Sequence, residues 1–378
     1  MAMQTPIQMV DLKRQYQKIK SEIDEAISEV LESGMFIQGP AVKKFAEHLQ
    51  EYLEVKHVIP CANGTDALQI AMMALELQPG DEVITPSFTY IATAEVIALL
   101  RLKPVFVDVD PHTFCLDVEA IREAITPRTR AIVPVHLFGQ SVDMEPLLAL
   151  AEAHQIAVIE DNAQAIGCNY RCADGSSKKT GTMGHIGCTS FFPSKNLGAY
   201  GDAGALCTQD DALADKMRMI ANHGQSQRYY HDRIGCNSRL DSIQAAILDV
   251  KLRYLDQYIA ARQQAANRYD TGFADIPEIT IPYRATYCTH VFHQYTILVP
   301  PHQREALQQY LAQHGIPTMI YYPVPCHRQK MFTSLPYVAH SLKTTEWLSE
   351  RVLSLPMHTE LDEEQQNFII EQIHRFFD

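Results

Sequence analysis

Apolar residues recur along this chain in two rhythms, one helical and one of short continuous runs. Leu12, Tyr16, Ile19, Ile23, Ile27, Val30 and Leu31 share one helical face and predict a helix over residues 11–33, stopped by Gly34. Phe36-Ile-Gln-Gly-Pro40 reads as a turn, and a second helix runs to about Tyr52. Val58–Cys61 is an apolar run of strand length, after which Gly64 turns the chain and Thr65 opens a helix ending near Pro79. From there the rhythms alternate. Strands are predicted over 82–85, 104–107, 131–135 and 156–159, and helices over 90–100, 117–125 and 144–154. Strands separated by helices of this length imply a parallel sheet covered on both faces, and their near-continuous Val/Ile content fits burial on both sides.

The next run, Thr189–Phe192, delivers Lys195. Gly198, Gly201 and Gly204 then bend the chain into a second apolar run, Ala205–Thr208. Residues 169–185, rich in small polar residues and carrying Lys178-Lys179, read as an exposed excursion. Asp241 to about Tyr269 reads as one long helix bridging two domains. Beyond it a strand over 294–299 and helices over 301–314 and 361–376 form a smaller α+β unit. The expected organisation is α/β, with a large domain over 1–250 and a small C-terminal domain over 251–378.

Composition narrows the function. The 378 residues are 46% hydrophobic and 20% charged, as in a folded globular protein. A formal net charge of -13 argues against nucleic-acid or anionic-membrane partners. No apolar run is long enough to cross a bilayer, and the N-terminus lacks a charged segment followed by an apolar one, so a cytoplasmic location is expected. The nine cysteines are scattered; Cys168 and Cys172 form a close pair, but nothing nearby completes a zinc set, so reduced thiols and no metal are expected.

In parallel sheets, ligands sit beyond the carboxyl ends of the strands. That rule selects Asn63–Asp66, Ser87–Tyr90, His136, Asp161–Gln164 and Ser190–Lys195. Burial lowers an amine's pKa, and a neutral Lys195 can attack a carbonyl. Asn63-Gly64-Thr65 at a helix start is either a simple cap or a phosphate site. Asp161 can cap a turn or hold a pyridine nitrogen protonated, with Gln164 placed to reach the same ring. Tyr90 can pack in the core or stack on a flat ring, and Ser190 can donate to a phosphate. An attacking lysine, a phosphate cradle, a strand-end acid and an aromatic cover together describe a site for pyridoxal 5'-phosphate (PLP).

Five segments carry a resemblance over essentially the whole length: Asn63-Gly-Thr-Asp-Ala-Leu68, Glu160-Asp-Asn-Ala-Gln164, Ser190-Phe-Phe-Pro-Ser-Lys195, Gly235-Cys-Asn-Ser-Arg-Leu240, and Gly315-Ile-Pro-Thr318 through Tyr322-Pro-Val-Pro-Cys-His327. In them the chain resembles the DegT/DnrJ/EryC1/StrS sugar-nucleotide aminotransferases. These are fold type I PLP enzymes with a mostly parallel seven-stranded sheet. The resemblance implies Lys195 as the Schiff-base lysine and proton carrier, Asp161 on the pyridine nitrogen, Gln164 on the phenolic oxygen and Tyr90 stacked on the ring. It places Gly64, Thr65 and Ser190 on the phosphate, joined by Asn237 from the neighbouring subunit of a homodimer with shared active sites.

L-Glutamate and a UDP- or dTDP-linked keto-sugar would use one pocket in turn. Arg239, a planar guanidinium, is the natural carboxylate clamp or else an interface ion-pair partner. His223-Gly-Gln225, Arg228-Tyr229, His231 and Asn237-Ser-Arg239 resemble the branch that aminates C3 of UDP-N-acetyl-3-oxo-glucuronate, in bacterial surface-polysaccharide synthesis. Tyr321, Tyr322 and His327 are candidate sugar or diphosphate contacts, although many relatives carry His where Tyr321 stands. Three alternatives stay open: amination at C4 of a 4-keto-6-deoxy sugar, a PLP-binding regulator, and a dehydratase. Lys195 argues against the last, since the few dehydratase relatives have His there.

Overall fold

The computed structural model describes residues 6–378. Its main sheet has eight strands. Across the sheet they run His57–Cys61, Gly204–Thr208, Ile186–Ser190, Ala157–Asp161, Thr129–Ile132, Glu82–Pro86, Lys103–Val107 and Val338–Ala339. Neighbours pair in parallel except at Gly204–Thr208, which is antiparallel to the strand on either side. Seven of these strands lie between residues 57 and 208. The eighth is a two-residue strand from much later in the chain that extends the edge at Val105 and Phe106.

Both faces are covered. Val83 points into a core shared with helices Gly64–Ala74, Ala92–Leu99 and Asp211–Ala221. Its neighbour Ile84 points into the opposite core, with helices Pro40–Leu53, Met144–Ala153 and Ser242–Leu252. This alternation is the two-residue period of a strand buried on both sides. A smaller unit pairs Tyr295–Leu298 antiparallel with Val352–Leu355, against helices Leu255–Gly272, Pro301–Gln313 and Glu363–Phe377. Its core gathers Tyr269, Phe273, Tyr295, Leu307 and Ile369.

Four expectations are corrected. The first helix breaks at Ile19 into Leu12–Lys18 and Lys20–Ser33. Arg14 of the first half donates to Glu360 O (2.8 Å), and Ile23 of the second packs on Ile247 and Val250 in a cluster that Tyr16 also joins. The long bridging helix likewise breaks at Arg253–Tyr254 into Ser242–Leu252 and Leu255–Gly272, the first lying mainly in the large core and the second mainly in the small one. The strand before Lys195 ends at Ser190 rather than Phe192. Phe191 leaves the sheet to meet Phe45 edge-on, with ring centroids 5.5 Å apart. Finally, 169–185 is exposed at Arg171, over 173–178 and at His185, and not throughout. It forms the hairpin Asn169–Arg171 with Ser177–Lys179, then closes with Thr180 and Gly181 buried.

Candidate active site

The carboxyl ends of the strands converge on a cavity of about 830 Å³. One wall is the start of helix Gly64–Ala74. Asn63 caps it, its Oδ1 accepting from Asp66 N (2.8 Å). The first-turn N–H groups of Gly64 and Thr65 have no intrahelical carbonyl to reach, and they carry the positive end of the helix dipole. A Cβ at Gly64 would lie 2.7 Å from Ser190 Cβ, so only glycine lets the helix start approach that hydroxyl. Ser190 Oγ accepts from Phe192 N (3.3 Å) and keeps its own proton to donate.

Asp161, 6% exposed, forms the floor at the end of its strand. Thr93 Oγ1 donates to Oδ2 (2.7 Å) and Ala163 N donates to Oδ1 (3.1 Å), which fixes the carboxylate plane. The preceding Glu160 points the other way and is fully buried. It accepts from Gly181 N (2.7 Å), Met183 N (2.7 Å), Gly184 N (2.6 Å) and His136 Nε2 (2.8 Å). Because His136 Nδ1 accepts from Val142 N (3.1 Å), the ring proton it gives Glu160 sits on Nε2. Burial pushes the Glu160 carboxyl up, but the bond to His136, its attraction, and the Gly184 and Gly181 N–H groups outweigh this and hold it below the ordinary range.

Gln164 is fixed at both ends, its Oε1 accepting from Phe138 N (2.8 Å) and its Nε2 donating to Tyr322 OH (3.0 Å). One amide proton remains free for the cavity. Tyr90 is 57% exposed at the mouth, its ring 6.3 Å from that of Tyr322 and tilted 45° to it. Lys195 projects from a turn in which its own N–H reaches Phe192 O and the Asn196 amide holds Val291 O (2.9 Å). The residue as a whole is only half-buried, but dense protein around the amine lowers its pKa to about 8, partly offset by Asp161.

The structure therefore brings together Gly64, Thr65, Tyr90, Asp161, Gln164, Ser190, Lys195, Tyr321 and Tyr322. It does not bring in Asn237, which is exposed, or Arg239, which is half-buried; neither lines the cavity. His327 stands behind the wall, bonded to Ser87 Oγ (2.7 Å) and near Glu346 (3.5 Å).

Thr93 and His293 were not found from sequence. For Thr93 a signal existed: a polar residue inside the apolar helix Ala92–Leu99 needs a buried partner. His293 lies 98 residues after Lys195 and has no local pattern. It is 6% exposed and lines the cavity, and its Nδ1 has no hydrogen-bond partner. Burial, then Lys195 and Arg262, hold its imidazole well below the ordinary range. Among the described residues no cluster of three or more His, Cys, Asp or Glu could hold a metal, and no helix is long and apolar enough to cross a membrane.

Known proteins resemble this chain in sequence and in fold. The chain is 46% identical over 375 residues to a "Pleiotropic regulatory protein" of Geobacillus stearothermophilus, covering 98% of each chain. It is 46% identical over 359 residues to the UDP-2-acetamido-2-deoxy-3-oxo-D-glucuronate aminotransferase of Pseudomonas aeruginosa, covering 94% of this chain and 96% of the other. The crystal structure of DesV from S. venezuelae in complex with a ketimine intermediate superposes with a TM-score of 0.94 at 38% identity, covering 99% of both chains. Residues 17–374 match the DegT/DnrJ/EryC1/StrS aminotransferase family, and the chain belongs to it.

Proposed function

We propose that the chain uses PLP to move an amino group from L-glutamate to C3 of a UDP-2-acetamido-3-oxo-hexuronate, as a cytoplasmic homodimer in surface-polysaccharide synthesis. The observation that carries this reading is the pairing of a lysine amine of pKa about 8 with the Asp161 carboxylate in one cavity, beside a helix start held open by Gly64.

The residues fit the cofactor. The Gly64–Thr65 N–H groups and the Ser190 hydroxyl match a phosphate. Asp161, with both oxygens oriented and lone pairs to spare, matches a protonated ring nitrogen. The free Gln164 proton matches a phenolic oxygen, and Tyr90 offers an open ring face. When bound, PLP supplies a carbonyl for the lysine and an electron sink for the pair left by a departing proton.

The chain's own residues do the rest. At pH 7 a useful fraction of Lys195 is the neutral, nucleophilic amine. The same amine would be placed to take a proton from a substrate carbon and give it to a carbon two bonds away. Asp161 would keep the ring nitrogen protonated, and Thr93 and Ala163 hold the carboxylate in place. Tyr90 and Tyr322 narrow the mouth.

Among the described residues lining the cavity, Lys195 is the only Lys or Arg, facing Asp66, Asp161 and Asp202. Such a site is short of cations for a glutamate carboxylate and a diphosphate. Arg239 and Asn237 lie outside it, available to the cavity of a second copy. Exposed Met35, Phe36, Ile37, Tyr229, Tyr230 and Ile234 supply apolar surface for that association. The 3-oxo substrate named for the Pseudomonas relative supports amination at C3.

A second reading, a PLP-bound regulator, draws support from the name of the Geobacillus relative. The two separate on adding L-glutamate to the PLP-loaded protein. The enzyme loses its visible colour and then converts a 3-keto-uronate from a keto-sugar panel, read as product mass. The regulator keeps its spectrum, and that result would sink the proposal.

A further inference from the structure

Helix Ser242–Leu252 carries a lysine on its buried face. Lys251 is 1% exposed and lies outside the cavity. Its amine donates to the carbonyl of Gly198 and sits 5.1 Å over the ring of Tyr200. Burial first, then the Arg262 guanidinium, lower its pKa to about 7. Burying an amine without a counter-ion is costly, and an apolar side chain of similar volume is often as stable or more so. Fold stability therefore gives no reason for a lysine here.

Its partner does. Gly198 closes the turn that presents Lys195. Lys195 N–H reaches Phe192 O (2.8 Å), Ala199 N–H reaches Phe191 O (2.8 Å), and a Cβ at Gly198 would lie 2.3 Å from Pro193 O. The turn is gripped from outside at three points. Asn196 holds Val291 O (2.9 Å), Gln244 Oε1 accepts from Tyr200 N (2.9 Å), and Lys251 holds Gly198 O. Of these, Lys251 alone can carry a charge; with a pKa of about 7 it does so in about half of the molecules at pH 7, and charge-assisted bonds are the stronger kind.

We propose that Lys251 is a positioning residue for Lys195: through the Gly198 carbonyl it fixes the turn that carries the nucleophilic amine, touching neither cofactor nor substrate. Its catalytic meaning rests on the assignment of Lys195 above. The turn itself can be tested in the cofactor-free protein, so the two can fail separately.

The experiment is amide hydrogen exchange on cofactor-free Lys251→Met and Lys251→Gln, with melting temperature, and kcat and KM of the loaded enzyme. Lys251→Met is expected to speed exchange at Lys195 and Ala199 at least about tenfold, the scale of one lost bond to a charged donor. Exchange in helix Gly64–Ala74 and the melting temperature should stay near wild type, while kcat falls and KM holds. Lys251→Gln, which keeps a donor, should recover most of the protection. Unchanged exchange at both amides would overturn the proposal. So would general unfolding of both variants, which would show a purely structural lysine. A loosened turn in a protein whose Lys195 takes no PLP would leave the positioning role standing and remove the assigned function.

Discussion

Thr93 Oγ1 lies 2.7 Å from Asp161 Oδ2 and donates to it from the helix behind the cavity floor. The bond is buried, and together with Ala163 N it leaves the carboxylate one orientation. Removing the hydroxyl while keeping the shape should free Asp161 to rotate. Thr93→Val is expected to lower kcat about tenfold, the scale of one hydrogen bond to a charged group. Thr93→Ser should restore most of the rate. Steady-state kinetics on both variants checks this, and equal rates for Val and wild type would contradict it.

Gly64 faces Ser190 at a distance that admits no Cβ. Gly64→Ala must push the helix start and the serine apart and so open the anion cradle. PLP affinity of the cofactor-free protein should weaken at least about tenfold, as expected when a positioned charge-assisted contact is lost. Titration by fluorescence quenching measures this.

Lys195 titrates at about 8 in the fold, against an ordinary value of 10.5. The unfolded chain therefore holds this proton more tightly. The stability penalty is present in full below pH 8 and is relieved as pH rises from about 8 to 10.5. Lys195→Met in the cofactor-free protein should raise the melting temperature at pH 7 and have less effect near pH 10. In wild type, capture of PLP by the amine should rise about fivefold from pH 7 to pH 8 and level off above pH 9, following the neutral fraction. A rate still climbing steeply at pH 10 would contradict the lowered pKa.

Glu160 ties the segment 181–184 and His136 under the strand that ends in Asp161. Glu160→Gln leaves buried N–H donors without an acceptor and should cost roughly 3 kcal/mol in urea unfolding at pH 7. The wild-type carboxyl is held below its ordinary value of 4.5. Its contribution is therefore present in full above the ordinary 4.5 and lost as pH falls through the lowered folded value, whereas the Gln variant should lack that step.

Much of this was legible in the chain. The large-domain strands announced themselves as short Val/Ile runs between helical faces. The rule that ligands gather beyond parallel strands then selected Asp161, Ser190 and Lys195 before any contact was visible. What could not be read was set by distant partners. Ile19 and Arg253–Tyr254 continue a helical pattern locally, yet the helices break there. Phe192 looks like strand, yet the pairing with Gly204 stops at Ser190. His293 comes to the cavity of Lys195 only through the tertiary fold. Asn237 and Arg239 were read as site residues through the resemblance, and one chain alone leaves them outside its own cavity.

The most direct test of the account is borohydride reduction of the PLP-loaded protein followed by peptide mapping. The account predicts one reduced pyridoxyl adduct, on the peptide containing Lys195, and none in Lys195→Ala, which should also lose transamination. An adduct elsewhere, or a Lys195→Ala protein that transfers the amino group at the wild-type rate, would contradict it.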